Sequence, residues 1–371
     1  MKIVFNTRNQ DEASAAFYAR GFSRLPSVSF GDWGHYADYD IVLFMGSAED
    51  MPEARTAKRE NPDILVGLVD PRGRLPYEFM DVVDFLVLDS VEMQDFYAFA
   101  NKPILRYCEY PDISPRPKEH LEKKKIIIGY HGNKQHLSCM YPRLTSAIDA
   151  LGGKYDIELW AVYNIKALGF CHVGLPQKVP VRHIQWSQKV YEEELRSVDI
   201  GICPNMMMIR DPDRVKEQCR FDKYFLQDKD DFLIRFKMSS NPGRIVVFGL
   251  FGIPVVSDFL PSALQTIRDG QNGFIAYTAG GWYRALEKLI RSRDLRAQLG
   301  RNLYEHVVKE YGYDVQNRRL EQFCAELMKE RPASGIIFGG GDPLVDPGRL
   351  RAELWRERWE KFIGFVRRIR T

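Results

Sequence analysis

The sequence predicts an α/β protein built from two doubly wound parallel-sheet domains that face each other across a cleft. Short apolar and β-branched runs of strand length alternate with amphipathic stretches of helix length. This alternation is typical of parallel sheets covered by helices on both faces. The pattern stops at a proline-rich segment and then restarts, and a chain of 371 residues has the length of two domains.

The first half of the chain carries the alternation as far as residue 107. The predicted strands cover residues 2–6, 40–44, 64–69, 84–88 and 104–107. The predicted helices cover 10–22 and 90–100, and Ser90 is a typical N-cap for the second of them. Three prolines between residues 111 and 117, followed by a run of lysines, indicate a linker. We therefore predict a first domain over residues 1–117.

The second half resumes the alternation after the linker. The predicted strands cover 126–129, 155–161, 181–186, 199–203, 253–257 and 273–276. The predicted helices cover 141–151, 191–197, 243–251, 282–291, 295–309 and 315–329, and a charged irregular stretch covers 210–231. We predict a second domain over residues 118–331. The carboxyl ends of both sheets should meet at the cleft, where open α/β sheets bind their ligands.

Composition and charge exclude several classes of protein. An apolar content of 45% is enough to build large cores, which excludes global disorder. No run of about 18 apolar residues occurs, so no membrane-spanning helix is expected, and the first residues do not resemble a secretory leader. A net charge of +3 does not favour nucleic-acid binding. The six scattered cysteines lack zinc spacing and predict free thiols in a reducing cytoplasm.

The segment from residue 236 to 258 predicts a helix whose N-terminus points at the cleft. The residues able to cap this helix are Ser239, Ser240 and Asn241. Free N–H groups and the positive end of the helix dipole suit a phosphate there, and Lys237 and Arg244 flank the site with full charges. An ordinary α/β unit with a solvated lysine and arginine is the alternative interpretation.

Five segments then follow one another in an informative order: Ile-Gly-Tyr-His-Gly at 128–132, Val-Asp-Ile-Gly-Ile-Cys-Pro at 198–204, Gly-Ile-Pro-Val-Val at 252–256, Asp-Gly-Gln-Asn-Gly-Phe at 269–274 and a helical run over 295–311. On these segments, residues 125–325 resemble the nucleotide-binding domain of a GT-B glycosyltransferase and are most similar to glycosyltransferase family 4. The resemblance implies two Rossmann-like domains facing a cleft. It also implies sugar transfer from a nucleotide-diphosphate sugar to a glycan or lipid-linked acceptor, with the donor as co-substrate and no cofactor.

The resemblance further implies roles for individual residues. The donor-binding candidates are Gly129, His131, Gly132, Asn133, Pro204, Asn205, Ser239, Ser240, Asn241 and Gln265. Lys237 and Arg244 are the predicted catalytic groups that stabilise the developing diphosphate charge. Asp70 is a third catalytic candidate, able to contact an acceptor hydroxyl, although a turn-forming aspartate is the alternative.

Arg8, Trp33 and His35 are candidates for the acceptor side of the cleft. Trp33 could stack on a sugar ring or belong to the core. No metal site is predicted, because the Asp-x-Asp sequences at 38–40 and 211–213 fit a two-domain pattern that does not need a metal.

One position pair departs from the family pattern. Family 4 members commonly carry two glutamates shortly before the Gly-x-Pro-Val-Val run, and the corresponding residues here are Ser239 and Val247. The sequence therefore leaves open a catalytically inactive GT-B-fold subunit of a glycan assembly complex, and a sugar-nucleotide epimerase. A retaining, metal-independent transfer in bacterial surface polysaccharide synthesis is the function that family analogy favours.

The last region, residues 332–371, begins with a glycine-rich break at 339–343. Residues 350–369 have an apolar face at helical spacing, and eight basic residues against three acidic ones lie between Arg349 and Thr371. A basic amphipathic helix of this kind is typical of peripheral contact with an anionic membrane. The alternative is a helix that returns to pack on the first domain, as the final helices of GT-B enzymes do.

Overall fold

A computed structural model of the chain describes residues 1–8, 13–46, 50, 52–71, 80–205 and 241–330. Three predicted site residues, Lys237, Ser239 and Ser240, lie outside these ranges. The predicted irregular stretch 210–231 and the predicted helix 350–369 lie outside them as well.

Two sheets of six parallel strands form the framework, which confirms the predicted fold class. The strands of the first sheet are β1 Ile3–Asn6, β2 Val28–Phe30, β3 Ile41–Met45, β4 Leu65–Val69, β5 Phe85–Leu88 and β6 Ile104–Arg106. Those of the second are β7 Ile126–His131, β8 Ile157–Tyr163, β9 Val181–Gln185, β10 Ile200–Cys203, β11 Val255–Asp258 and β12 Phe274–Ala276. Sequence analysis missed β2, because this short edge strand is only half-buried and lacks an apolar run.

The strand orders are β2-β1-β3-β4-β5-β6 and β12-β11-β10-β7-β8-β9. In each sheet the chain first moves outward in one direction and then returns to the centre to build the other side. In the second sheet the return places β10 beside β7, with Ile200 paired to Ile128. Crevices open at such reversal points, beyond the carboxyl ends of the two central strands.

The described helices connect successive strands and cover the sheets. Their bounds are α1 Ala13–Phe22, α2 Pro52–Glu60, α3 Val91–Phe96, α4 Lys134–Ser138, α5 Arg143–Gly152, α6 Ile165–Leu168, α7 Gln188–Ser197, α8 Gly243–Leu250, α9 Pro261–Leu264, α10 Ala279–Arg291, α11 Arg293–Tyr311 and α12 Tyr313–Lys329. A short 3-10 turn, Ala98–Ala100, follows α3. Sequence analysis missed the short helices α4, α6 and α9 as well as α2, a very polar helix that buries only Ala54 and Ala57.

Both faces of each sheet are covered, so that the strands are buried on either side. In the first sheet, α1 and α12 pack on one face and α2 and α3 on the other. In the second sheet, α5 and α10 cover one face while α8 and α11 cover the other. This burial explains why the strands are continuous apolar runs rather than alternating ones.

Helix α12 joins the two halves of the molecule. Leu320 and Cys324 are fully buried in the same core as Ile3 of the first sheet. The side chain of Asn317 accepts a hydrogen bond from the hydroxyl of Tyr107 at 2.8 Å and donates one to the carbonyl of Gly21 at 2.8 Å. The predicted second domain includes residues 315–329, and in the structure this helix packs on the first sheet.

Five cysteines lie in the described part of the chain, and all of them are buried free thiols. Burial raises the pKa of Cys203 and of Cys324 to about 12. Such thiols have little thiolate character and behave as small apolar side chains. None of the described helices has both the length and the apolar character needed to cross a bilayer.

Candidate functional site

A cavity of about 320 Å³ lies where the carboxyl ends of the two sheets face each other. The first half contributes Phe17, Glu109 and Pro111 to its wall. The second half contributes residues from the ends of β7, β8 and β9, from α6 and α8, and from the segment just before α8, namely His131, Gly132, Tyr163, Asn164, Leu168, Trp186, Asn241, Gly243, Arg244 and Val247. Four predicted site residues, His131, Gly132, Asn241 and Arg244, therefore lie around one space.

Arg244, the second residue of α8, lies at the reversal point of the second sheet. Its Nη1 donates to the carbonyl of Pro204 at 2.8 Å, and its Nη2 donates to Oδ1 of Asn205. The guanidinium also lies over the ring of Tyr130, 5.8 Å from its centre. The backbone N–H of Asn205 in turn donates to Asp258 at 2.7 Å. These contacts hold the positively charged guanidinium of Arg244 in the cavity wall, and Pro204 and Asn205 orient it.

His131 ends β7 and contacts the same helix. Its Nε2 donates to the carbonyl of Arg244 at 3.2 Å, and its ring packs on Phe248. Burial, and secondarily the charge of Arg244, lowers its pKa to about 3. The imidazole is therefore neutral near pH 7, and its Nε2 proton is used within the protein.

The two glycines predicted for the diphosphate loop have different tasks. Gly132 has a φ of +135°, and a Cβ there would come within 2.9 Å of Cδ of Arg244. It therefore permits the close approach of the arginine to the end of β7. Gly129 lies inside β7, where a Cβ would come within 2.4 Å of the side chain of Val198. It packs against Val198 and does not line the cavity, and its contact with the donor stays a prediction.

Two further donor candidates lie outside the cavity wall. Asn133 is the N-cap of α4, and its side chain accepts from the backbone N–H of Gln135. Gln265 accepts from the backbone N–H of Val91 at 3.1 Å and donates to the Sγ of Cys108 at 3.3 Å. Gln265 thus connects the second half of the molecule to the first and does not line this cavity, and its predicted position at the donor ribose stays a prediction. The bond of Asn133 is local, whereas the contacts of Gln265 depend on how the first half packs against the second and leave no pattern in the sequence.

Asn241 bridges the two halves at the start of α8. Its Oδ1 accepts from the backbone N–H of Gly243, the first residue of the helix, at 3.0 Å, while Pro242 occupies the N-cap position. Its Nδ2 donates to Asp89 at 3.1 Å and to Glu109 at 3.2 Å. Because both partners belong to the first half, the amide fixes the helix N-terminus against that half.

Asp70 belongs to a cluster of three carboxylates rather than to the cavity wall. Oxygens of Asp70, Asp89 and Glu109 all lie within 4.8 Å of one another. Asp70 and Asp89 are buried, and Glu109 is the member of the cluster that faces the cavity. Burial first, and then the charges of these three groups, raises the pKa of Tyr18 well above its usual value. Such a cluster has the oxygen chemistry of a cation site, and the expected absence of a metal stays a prediction.

The acceptor-side candidates form a separate group at the carboxyl end of the first sheet. The guanidinium of Arg8 lies over the ring of Trp33, 4.9 Å from its centre. Trp33 is half-buried against Phe44, and the exposed His35 lies 3.0 Å from Asp32. None of the three predicted residues lines the cavity.

Sequence analysis missed several residues of the cavity wall. Glu109 lies between β6 and the predicted linker, where no local pattern marks a site. Asn164 directly follows β8, and Trp186 directly follows β9. Ligands in open α/β sheets bind beyond the carboxyl ends of strands, so this rule could have predicted both residues. Phe17 lies on α1, and its place in the wall depends on how the two halves meet.

Comparisons with known structures identify the arrangement as the GT-B fold. The Anabaena HepE protein in complex with UDP matches with a TM-score of 0.60 at 11% identity, over 88% of this chain and 100% of that one. A glycosyltransferase from Rickettsia africae matches with a TM-score of 0.59 at 11% identity, over 89% and 99%. Sucrose-phosphate synthase from Thermosynechococcus elongatus matches with a TM-score of 0.51 at 9% identity, over 87% and 80%.

These likenesses confirm the predicted two-sheet fold. No protein-family model matches the chain, and no curated protein sequence matches it. Membership of glycosyltransferase family 4 therefore stays a prediction. The neighbouring structures concern the fold, and the activity of this chain has to be argued from its own cavity.

Proposed function

We propose that this protein is a glycosyltransferase that moves a sugar from a nucleotide-diphosphate sugar to a glycan or lipid-linked acceptor. The observation that carries the proposal is the cavity at the reversal point of the second sheet, with Arg244 and the first turn of α8 in its wall. Solved proteins of the same fold support it, since HepE is described in complexes with UDP and with UDP-glucose.

The donor diphosphate would lie against α8 in this proposal. The N-terminus of a helix offers N–H groups and positive partial charge, and Arg244 adds a full charge beside it. Because Arg244 is already held by Pro204 and Asn205, little reorganisation is needed when negative charge develops on the leaving diphosphate. Catalysis would then consist mainly of positioning the substrates and stabilising that charge. Lys237 remains the second proposed cation.

Glu109 is the proposed carboxylate of the reacting site. At the second of the two family glutamate positions this chain has Val247, which lines the cavity with an apolar side chain. Glu109 reaches the same cavity from the first half of the molecule and is held there by Asn241 at 3.2 Å. A carboxylate at this point can accept a hydrogen bond from a hydroxyl of the sugar or of the acceptor. A retaining, metal-independent reaction in surface polysaccharide synthesis is the finer form of the proposal.

Ligand-induced stabilisation against thermal unfolding tests the binding step. We expect UDP, GDP or dTDP to stabilise the wild type, by about 2.7 kcal/mol at 100 times its Kd. Arg244→Ala should weaken that effect by roughly ten- to a hundredfold in Kd, since a charge-assisted contact contributes about 1.5–3 kcal/mol. Arg301→Ala removes an exposed arginine on α11 and serves as the matched control. Stabilisation by none of the three nucleotides would contradict the proposal.

A catalytically inactive subunit of a glycan assembly complex is the second candidate. Val247 in the cavity wall favours it, because an apolar side chain cannot replace the usual carboxylate contact to a donor sugar. A donor-hydrolysis screen over UDP-, GDP- and dTDP-sugars separates the two candidates. Turnover that falls in Glu109→Gln supports the enzyme, whereas nucleotide binding without turnover, together with a copurifying partner, supports the subunit.

Peripheral membrane contact through residues 349–371 is a separate part of the proposal. The supporting observation is the charge of that segment, with eight basic residues against three acidic ones. Each basic residue near an anionic surface contributes about 1 kcal/mol, and the contribution falls as salt rises. We expect salt-sensitive binding to anionic vesicles that truncation after Pro347 abolishes. Full-length protein that ignores such vesicles at low salt would contradict this part alone.

A further inference from the structure

A second cavity, of about 500 Å³, lies between the two halves of the molecule and shares no residue with the first. Its charged side chains come from several elements that meet there. Strand β6 contributes Arg106, the loop after α9 contributes Arg268, α11 contributes Glu310, and α12 contributes Arg319. His306 of α11 also lines it.

The wall of this cavity is cationic. Three arginines against one glutamate leave a formal charge of +2 when His306 is neutral. Arg319 is paired with Glu310, with Nη2 3.0 Å from the carboxylate. Within the described part of the chain, no carboxylate forms an ion pair with Arg106 or Arg268. Two guanidinium groups at this cavity thus keep their charge available for a ligand.

His306 adds a polar group to the wall of this cavity. Its Nε2 atom is buried and forms no hydrogen bond with any described residue. Burial first, and then the charge of Arg268, lowers the pKa of this imidazole. A buried polar atom beside an excess of positive charge is costly unless a ligand or water supplies the partner.

The frame that carries these side chains is held together by buried hydrogen bonds. Gln316 is 2% exposed, accepts from the backbone N–H of Cys108 at 2.6 Å and donates to the carbonyls of Cys108 and Tyr311 at 3.0 and 2.7 Å. Strand β6, α11 and α12 are thereby fixed relative to one another. Arg106 and Arg319 therefore project from elements whose spacing is set before any ligand binds, and Arg268 reaches the same wall from the loop after α9.

We infer that this cavity binds a phosphate ester of a small organic molecule, with Arg106 and Arg268 as the phosphate ligands. Guanidinium groups recognise phosphate through paired charge-assisted hydrogen bonds. The volume of about 500 Å³ lies within the usual range of small-molecule sites, about 300–1,000 Å³, and is larger than a bare phosphate ion needs. The inference does not rest on the proposed function, because the two cavities share no residue.

Titration calorimetry with inorganic phosphate and with a hexose monophosphate tests the inference on the full chain. The variant is Arg106→Ala combined with Arg268→Ala, two exposed residues whose replacement should leave the fold intact. The matched control is Arg301→Ala combined with Arg318→Ala, which removes the same charge from exposed residues outside the cavity. Circular dichroism and the unfolding midpoint verify that both variants are folded.

The expected result is a hexose monophosphate that binds more tightly than inorganic phosphate and loses at least about tenfold in affinity in the cavity variant, while the control keeps its affinity. Three results would overturn the inference. One is a wild type whose Kd for the ester exceeds about 1 mM. Another is equal affinity in the two double variants. The third is equal affinity for inorganic phosphate and for the ester, which would show that the organic group of the ester makes no contact that contributes to binding.

Discussion

Replacement of Asn241 by aspartate should replace two hydrogen bonds between the halves of the molecule, to Asp89 and Glu109, by electrostatic repulsion. The amide donates to Asp89 at 3.1 Å and to Glu109 at 3.2 Å, while its Oδ1 accepts from the backbone N–H of Gly243. Asn241→Asp keeps the shape and the accepting oxygen, but it adds a fourth carboxylate to the cluster of Asp70, Asp89 and Glu109. The perturbation is therefore electrostatic rather than steric.

The magnitude follows from those distances. The two lost hydrogen bonds to charged groups contribute about 1.5–3 kcal/mol each. An ionised Asp at these distances would repel each carboxylate by about 5 kcal/mol at an effective dielectric constant of about 20. The new carboxyl therefore takes up a proton in the folded state, so that its pKa lies above the usual value of about 3.9. A protonated carboxyl also donates one hydrogen bond, which restores part of the lost bonding.

The sign of the pH dependence follows from the raised pKa. Below the unfolded pKa of about 3.9 the new group is protonated in both states and adds no pH dependence. As pH rises from there, the unfolded state loses the proton first, and the deficit of the variant grows by about 1.4 kcal/mol per pH unit until the folded pKa is passed. We expect a small deficit near pH 5 and one of several kcal/mol at pH 8.

The assay is the free energy of unfolding from urea titrations at pH 5 and pH 8, for the wild type, Asn241→Asp and Asn241→Ala. The alanine variant loses the same two bonds and the bond from the Gly243 N–H but adds no charge, so its deficit should change much less with pH than that of the aspartate variant. If the aspartate variant loses no more stability at pH 8 than at pH 5, relative to the wild type, the interaction with Asp89 and Glu109 is not as described.

Three further changes test other parts of the structure. Gly300→Ala places a Cβ 1.9 Å from the carbonyl oxygen of Gly252, so it should cost about 3 kcal/mol or more of unfolding free energy, whereas Gly153→Ala meets nothing nearer than 3.5 Å and should be neutral or slightly stabilising. His131→Gln should reduce the loss of stability between about pH 6.5 and pH 4, because the histidine has its pKa lowered to about 3 and the unfolded chain takes up the proton first. Leu320→Ala, at a fully buried site of α12, should cost about 2–5 kcal/mol in urea titrations, and a smaller loss would contradict the packing of this helix on the first sheet.

The strands and long helices were predictable because each is encoded locally. Buried parallel strands such as Leu65–Val69 are continuous apolar runs, and helices such as Ala279–Arg291 carry an apolar stripe. Exceptions are elements without such a pattern, such as the half-buried Val28–Phe30. The N-cap at Ser90 was also readable, because it involves only the next three residues.

The composition of the site was decided by tertiary structure. Arg244 was identified from its place in a helix start, but its bonds to Pro204 and Asn205 depend on β10 lying beside β7. Glu109 had no local signal at all, because its position in the cavity depends on how the first half meets the second.

Gly129 and Gln265 show the same difference between what the sequence predicts and what the tertiary structure decides. The sequence by itself determined that Gly129 follows the glycine pattern of a phosphate loop, whereas the fold uses its missing Cβ to admit Val198. From the sequence, Gln265 was predicted only as a polar residue near the donor ribose. In the fold its side chain connects the two halves through Val91 and Cys108. Periodicity and caps are properties of a few neighbouring residues and survive in the sequence. Contacts across the cleft join residues 132 to 174 positions apart, and no local pattern records them.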